Sequence, residues 1–324
     1  MKTKKEFIIL VAIIIALSLY LMLRNPDRTN YQLPETPTVA AKDITRMEIT
    51  RKDSSINMKK KLDTWHIVPQ EYVADTQKAK EMLDAIEGLT LTALASEAKD
   101  YGRYDLTSDK RITVRAWAGD TLKSEFDVGK AASSYRHTFV KIVGDHRVYH
   151  AKNNFRGKFD QSLEDLRDKA VLSFEKEEIR EIGFTKDKES IVLIRKELPA
   201  ETDIDQDSEA KDQTPPKTET VWESAEGKKA DESEVGSLLS TLSSLRCDAY
   251  VDDRKSEDYT DPVFTVRLNG EKGYTLSIYD KTDKEDKKYP TISSENDYPF
   301  LLSDWQAEKI MAAPDKILKD PDES

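Results

Sequence analysis

Residues 65–89 read WHIVPQEYVADTQKAKEMLDAIEGL, and residues 222–245 read WESAEGKKADESEVGSLLSTLSSL. The two stretches share one plan. A Trp ends a short strand, an Ala-Asp pair follows after a loop, and an apolar stripe runs at helical spacing. In the first the pair is Ala74-Asp75 and the stripe is Ala79, Met82, Leu83, Ile86 and Leu89. In the second the pair is Ala230-Asp231 and the stripe is Val235, Leu238, Leu239, Leu242 and Leu245. The offset is 157 residues at the Trp and 156 along the stripe. Apolar positions three and four apart define one face of an amphipathic helix. Asp75 and Asp231 stand where an N-cap belongs, and Glu234, three residues after Asp231, completes the signature of a capping box.

Working outward, Ile44–Arg51, Ser55–Leu62 and Trp65–Val68 read as three short strands before the first helix, with Pro69 ending the third. After Asp100-Tyr101-Gly102, four alternating runs follow: Arg111–Trp117, Thr121–Val128, Thr138–Val143 and Arg147–His150. Turn residues separate them, as in an antiparallel meander. A polar helical piece with Phe155 and Phe159 comes next, then Leu166-Arg167-Asp168-Lys169 and the apolar patch Ala170-Val171-Leu172 with Phe174. The pattern then restarts. Ile179–Thr185 matches Ile44–Thr50 at offset 135, Asp258-Tyr259 echoes Asp100-Tyr101, and Thr265-Val266-Arg267 repeats Thr113-Val114-Arg115. The offset grows from 135 to 157 because of an insertion at 198–219, which holds Asp203, Asp205, Asp207, Glu209, Asp212, Pro215 and Pro216 and reads as a solvated acidic loop. A last helix is expected to carry Leu301, Leu302, Trp305 and Ile310, before a polar tail from Pro314. Strands with a single helix per copy give an α+β class, internally duplicated. The expected layout is an anchor at 1–24, a Pro-containing tether at 25–41, repeats at 42–175 and 176–313, and a tail at 314–324.

The anchor is read from the N-terminus. Lys2, Lys4 and Lys5 precede the uncharged run FIILVAIIIALSLYLML from Phe7 to Leu23, and Arg24 follows. Seventeen residues at about 1.5 Å each give roughly 25 Å, the short end of what spans a bilayer. The run exceeds the apolar core of a cleaved signal peptide, no small-x-small site follows it, and no cysteine follows it for lipoprotein processing. The lysines place the N-terminus inside and the remainder outside the cytoplasm, giving a single-pass protein of the bacterial inner membrane whose residues 7–23 contact lipid.

Across 324 residues, 37% are hydrophobic and 35% charged, and the net charge is −11. This balance suits well-solvated domains and argues against nucleic acid as a partner, which requires a concentrated basic face. The single cysteine, Cys247, excludes an intramolecular disulfide.

The order Trp65, Ala74-Asp75, the Leu-rich helix, Asp100-Tyr101-Gly102, the meander with Val148-Tyr149, Leu166-Arg167-Asp168-Lys169 and Val171-Leu172-Ser173-Phe174 resembles the bacterial domain of unknown function 4340 family. The resemblance covers about residues 44–175, with the second copy weaker. It departs where the family carries Leu-Asp-x-Pro after Tyr-Gly, since Arg103-Tyr104-Asp105-Leu106 stands there. The resemblance implies a membrane-anchored envelope protein associated with ABC-type transport systems, and it implies no catalytic residues.

The residues that could carry chemistry favour structural roles. His146 and His150 fall on one predicted strand with His137 on the strand before, but strand positions four apart are some 13 Å apart, too far to share an ion. His66 reads as an outward strand residue. Asp203-x-Asp205-x-Asp207 opens like a calcium loop, yet Ser208 and Thr214 replace the required Gly and Glu. Cys247 has no histidine in its half of the chain to activate it and reads as a buried thiol. The Gly-Lys pairs at 129, 157 and 227 and the Lys-Gly pair at 272 lack phosphate-loop spacing. Trp65, Trp117, Trp222 and Trp305 could line a groove, but the equivalent repeat positions of Trp65 and Trp222 favour core packing. No catalytic, cofactor or metal residue is assigned. The sequence therefore leads to a non-enzymatic accessory protein of the envelope; the alternative is a tethered binding module for an envelope glycan or small solute, with the ligand between the repeats.

Overall fold

The computed structural model describes residues 2–23, 31–36, 39–199, 218–281, 283 and 286–318. They divide into two compact units, 1–166 and 167–324.

Unit 1 begins with helix α1 (Lys2–Leu23). Every large apolar side chain from Phe7 to Met22 is at least half exposed. Among the described residues no helix is long and apolar enough to cross a membrane. Side chains of α1 are described only for the sixteen residues 7–22.

The sheet of unit 1 is built from β1 (Arg46–Arg51), β2 (Ser54–Lys61), β3 (Thr64–Val68), β4 (Tyr72–Val73), β5 (Leu91–Ser96), β6 (Ile112–Ala118), β7 (Thr121–Ala131), β8 (His137–Ile142) and β9 (Val148–Lys152). Their order is β4-β3-β2-β1-β6-β7-β8-β9-β5, antiparallel at every step. Period-two alternation sets the faces. Met47 and Ile49 of β1, Val114 and Ala116 of β6, and Phe126 and Val128 of β7 turn inward and are buried. Helix α2 (Thr76–Glu87) lies on that inner side through Ala79, Met82 and Ile86. Short helices α3 (Arg156–Phe159) and α4 (Leu163–Leu166) join the same core, with Phe155 and Phe159 set edge-on to Phe126.

The other face of this sheet is polar. Arg115 donates to Glu125 at 2.7 Å and Glu48 at 3.4 Å. Asp127, only 3% exposed, accepts from the Thr113 hydroxyl at 2.7 Å and pairs with Lys141 at 3.0 Å and Arg111 at 3.4 Å. A carboxylate this enclosed is tolerable because each partner replaces solvation it has lost.

Unit 2 holds β10 (Ala170–Ser173), β11 (Glu181–Lys186), β12 (Glu189–Pro199), β13 (Thr218–Ser224), α5 (Glu232–Leu242), β14 (Ser244–Arg246), β15 (Ala249–Tyr250), β16 (Phe264–Asn269), β17 (Gly273–Ile278), β18 (Lys288–Ser293), β19 (Phe300–Ser303), α6 (Asp304–Met311) and α7 (Ala313–Ile317). Its main sheet runs β13-β12-β11-β16-β17-β18-β19-β15, and β10 pairs with β14 apart from it. Strand for strand this is the order of unit 1 without β4. Registers agree as well: Thr50 faces Thr113 as Thr185 faces Thr265, and Glu48 faces Arg115 where Gly183 faces Arg267. In place of β4 there is a single bridge from Glu223 to Lys229. Strand β12 pairs with β11 only as far as Ile194, while its pairing with β13 continues from Arg195–Trp222 to Pro199–Thr218.

Both main helices start as the sequence leads one to expect. The Asp75 carboxylate accepts from the backbone N–H of Gln77 at 3.0 Å and of Lys78 at 3.1 Å. Asp231 does the same for Ser233 at 2.9 Å and Glu234 at 3.2 Å. The capping box is not completed, because the Asp231 N–H donates to the Ile317 carbonyl instead. The Asp75 N–H likewise donates to the Leu166 carbonyl. Each helix start is thereby tied to the last short helix of its own unit.

Several expectations are corrected. Leu301 and Leu302 lie in β19, paired with Pro290 and Tyr289 of β18; the helix begins after Ser303, whose hydroxyl and Gln306 form a capping box. The tail from Pro314 begins as structure, with Pro314 in the first turn of α7 and Ile317 in the core; residues 319–324 lie outside the described set. The unit boundary falls after Leu166, not at 175, because Val171, Leu172 and Phe174 pack into the core of unit 2. Val39, expected in the tether, is buried in unit 1, and the Thr36 hydroxyl donates to the Leu89 carbonyl at 3.0 Å. Of the acidic insertion, residues 200–217 lie outside the described set, and its first and last residues continue β12 and β13.

Replacing the N-cap carboxylate in Asp75→Ala or Asp231→Ala is expected to lower stability by about 1 kcal/mol each, measured as a shift of the urea midpoint at unchanged m-value. Phe126→Ala is expected to cost about 3–5 kcal/mol by the same measurement.

Candidate functional site

Among the described residues, two of the concavities stand out as able to receive a ligand, and each of these is formed within one unit. That of unit 1 encloses about 440 Å³ at the sheet end where β1 turns into β2 and β6 begins. Its wall carries Arg51, Lys52, Lys110, Arg111 and Arg156 against Asp53, Asp105, Asp109 and Asp160. Most of these cations already hold the fold. Arg51 donates to the carbonyls of Phe159 and Gln161. Arg156 donates to the carbonyls of Lys110 at 2.8 Å and Val128 at 3.1 Å. Asp160 lies 3.7 Å from both guanidinium groups. The basin is thus a fastening of α3 to the sheet.

The concavity of unit 2 encloses about 390 Å³ between α5 and the β12–β13 side of the sheet. Trp222 forms its base, and Gly236 leaves the facing surface of α5 open, with no atom within 4 Å of where a Cβ would stand. Lys176 donates to Ser240 at 3.2 Å and Arg195 to the Glu177 carbonyl at 2.9 Å. Glu232 and Thr220 complete a mixed polar rim. An aromatic floor with donors and acceptors on the rim is suited to holding a polar ligand or an extended peptide.

The histidines separate. Strand β9 starts at Val148, so His146 lies in the preceding loop rather than on a strand with His150; Asp145 occupies the turn, and its N–H closes onto the Ile142 carbonyl. His137 and His150 meet across β8 and β9 at a ring distance of 5.7 Å, edge to face, and His150 also lies against Phe139 at 4.7 Å. Burial lowers the pKa of His150, and the neighbouring His137 lowers it further. His66 is half-buried on β3, with Nδ1 3.3 Å from the Glu71 carbonyl. Among the described residues no three His, Cys, Asp or Glu side chains stand close enough to hold a metal ion. The Asp203-Asp205-Asp207 run lies outside the described residues.

Cys247 is buried at 4% exposure in the core of unit 2. Trp65 and Trp222 are buried in their respective cores, as their repeat positions suggest. Trp117 is half-buried beneath Arg46, whose guanidinium lies 3.8 Å from the ring centre, and Trp305 is exposed on α6.

Two charged clusters escape sequence reasoning. In unit 2, Arg167 is 2% exposed, stacks at 3.7 Å on Tyr250 and donates to Asp252 at 2.7 Å. The Tyr250 hydroxyl in turn donates to the Asp168 carbonyl at 2.7 Å. Its partners lie some eighty residues away, so no local spacing announces them. In unit 1, Asp145 accepts from the Arg147 guanidinium at 2.8 Å and the Tyr149 hydroxyl at 2.6 Å. Here the signal was local: an acid, a base and a tyrosine at alternate positions.

The comparisons with known proteins bear on family alone. The profile of a family described as a domain of unknown function (DUF4340) matches residues 65–262. The chain belongs to this family. No curated protein and no solved structure matches it. The match takes in α2, the meander, the Arg167 stack, α5 and the unit 2 groove.

The Asp145 cluster gives a pH prediction. The Arg147 guanidinium first, then the Tyr149 hydroxyl and the Arg147 N–H, outweigh the opposing effect of burial and hold the Asp145 carboxyl well below the ordinary carboxylate range. A depressed folded-state pKa contributes stability that is present above the unfolded pKa, near 4, and lost as pH falls through the folded value. Asp145→Asn is expected to destabilise the protein at pH 7 by about 1.5 kcal/mol. The difference from wild type should narrow as pH drops below about 4, as read from urea midpoints across a pH series.

Proposed function

We propose that this chain is a single-pass, membrane-anchored accessory protein of the bacterial envelope, non-enzymatic in its own right, whose two units stand outside the cytoplasm and contact a membrane partner. The observation that carries this reading is α1, whose apolar side chains from Phe7 to Met22 are exposed on every side with no charge among them. An all-round apolar helix needs an apolar surrounding. Sixteen residues rise about 24 Å, short of a hydrocarbon core near 30 Å. The neighbouring Leu23 adds to the run, and Lys4, Lys5 and Arg24 flank it in the sequence. The lysines before the run favour an N-terminus inside. Family resemblance suggests an ABC-type transport complex as the partner.

The matching strand order and register of the two units, together with the sequence offsets, support an origin by internal duplication. A tethered binding module for an envelope glycan or small solute is the second reading. The observation favouring it is the unit 2 groove with Trp222 at its base.

Two measurements test the proposal. A cysteine placed at Leu62, fully exposed at the β2–β3 turn, should react with a membrane-impermeant maleimide in intact spheroplasts; protection until lysis would overturn the topology. A mild-detergent pull-down of the tagged chain should recover an ABC-type permease or its auxiliary subunit in near-equal amount. Recovery of the chain alone, with control complexes intact, would move the assignment to the binding module.

A further inference from the structure

Strand direction in unit 1 sorts its turns into two ends. The β1–β2 turn, the start of β6, the β7–β8 turn and the end of β9 share one end, because successive strands are antiparallel. This end is rich in cations although the chain as a whole carries a net charge of −11. Lys52, Lys110, Lys130, Arg136 and Lys152 are exposed there, with Lys158 half-buried beside them. Lys110 lies 3.5 Å from Asp105. Among the described residues Lys130, Arg136, Lys152 and Lys158 form no ion pair. The exposed carboxylates at this end are Asp53, Asp109 and Asp160, with Glu87 at the C-terminus of α2 and Glu35 beside Thr36; Asp160 is taken up by Arg51 and Arg156. At the tip of the β7–β8 turn Tyr135 is 75% exposed in a left-handed conformation, with φ 55°. A bulky side chain there is disfavoured by turn chemistry, which prefers Gly or Asn at positive φ.

The chain arriving from α1 fastens at this same end. Thr36 donates to the Leu89 carbonyl, and the Lys152 N–H donates to the adjoining Thr90 carbonyl. Met22 and Thr36 are fourteen positions apart, a reach of at most about 50 Å. The cationic end is thus the part of the unit to which the anchor connection is attached.

We infer that this end of unit 1 docks on an anionic phospholipid surface, with Lys130, Arg136, Lys152 and Lys158 facing headgroup phosphates and Tyr135 at the interface. The inference rests on the anchored reading proposed above. Cations clustered near a membrane are drawn to anionic lipid, and the attraction falls off with salt. Tyrosine is favoured at the headgroup level. The remaining charge of the molecule opposes a general attraction, so the docking has an orientation: this end toward the lipid, the rest away from it.

The test uses the full chain in vesicles of phosphatidylcholine with or without phosphatidylglycerol. A fluorophore is attached through Tyr135→Cys, through Leu62→Cys at the opposite end of the sheet, or through Ile15→Cys in α1. Cys247 is buried and does not compete for the label. With headgroup-nitroxide lipid, the label at 135 should lose fluorescence several-fold in vesicles containing phosphatidylglycerol. The loss should largely disappear without phosphatidylglycerol, at high salt, or on adding K130E, R136E and K152E together. The label at 62 should remain open to aqueous iodide throughout. Equal iodide access at 135 and 62 in phosphatidylglycerol vesicles, with 15 quenched by lipid nitroxide, overturns the docking and leaves the anchor standing. Shielding at 135 without nitroxide quenching also overturns it and points to a protein contact. Absence of quenching at 15 by a nitroxide carried on the lipid acyl chain overturns the anchored reading, and headgroup quenching at 135 then supports docking independently of it.

Discussion

The pairing of β1 with β6, and of β11 with β16, is the constraint on which each unit depends. These strands are far apart in sequence, and between them the chain makes a hairpin and then a helix. Only when the two strands meet does the hairpin on one side become continuous with the meander on the other. The resulting inner face is wide enough to bury a helix. The cost of closing such a loop must be met by apolar burial, and the inward residues of the central strands supply it: Met47, Ile49 and Val114 in the first unit, Ile182, Phe184 and Val266 in the second. The helix then has one place to lie, and its capping Asp ties it by a backbone hydrogen bond to the final short helix of the unit.

Because one face of the first sheet is spent on the core, the other is free to be polar, and it has become ionic. Asp127, Arg111 and Lys141 form a cluster that spans three strands, with Glu48, Arg115 and Glu125 beside it. The equivalent face of the second unit is milder: Gly183 stands where Glu48 does, and Thr265 meets Ser277 at 3.4 Å. The same strand order thus carries two different surfaces.

Much of this was legible in the sequence because it is local. The stripes of α2 and α5, the capping carboxylates, and the alternation of the four meander strands are written in residues within a few positions of each other. The repeat offsets added long-range information, since they aligned Thr113-Val114-Arg115 with Thr265-Val266-Arg267 before any pairing was known. What escaped is what depends on distant partners. Strands β4 and β15 are two residues long and have no period to detect. Leu301 and Leu302 precede Trp305 at a helical interval, but pairing with β18 makes them strand. Pro314 reads as a terminator, yet it opens a helix whose Ile317 reaches the core. Of the groove in unit 2, Trp222 was legible as a core residue. Its place beside Arg195 follows from the register of β12 against β13, and Lys176 and Glu232 reach it from the turn before β11 and from α5.

The β12–β13 hairpin has a consequence for how this chain can vary. Its last five residue pairs, from Arg195–Trp222 to Pro199–Thr218, lie beyond the last partner in β11. The register of the main sheet is therefore settled before the connecting segment 200–217 is reached. Loop-closure cost grows only with the logarithm of length, about 0.6 kcal/mol for each doubling. Residues can be added to or removed from that connection without shifting any pair in the sheet. The position is a natural port for grafting, where an epitope, a tag or a second domain can be inserted while the unit beneath it keeps its architecture.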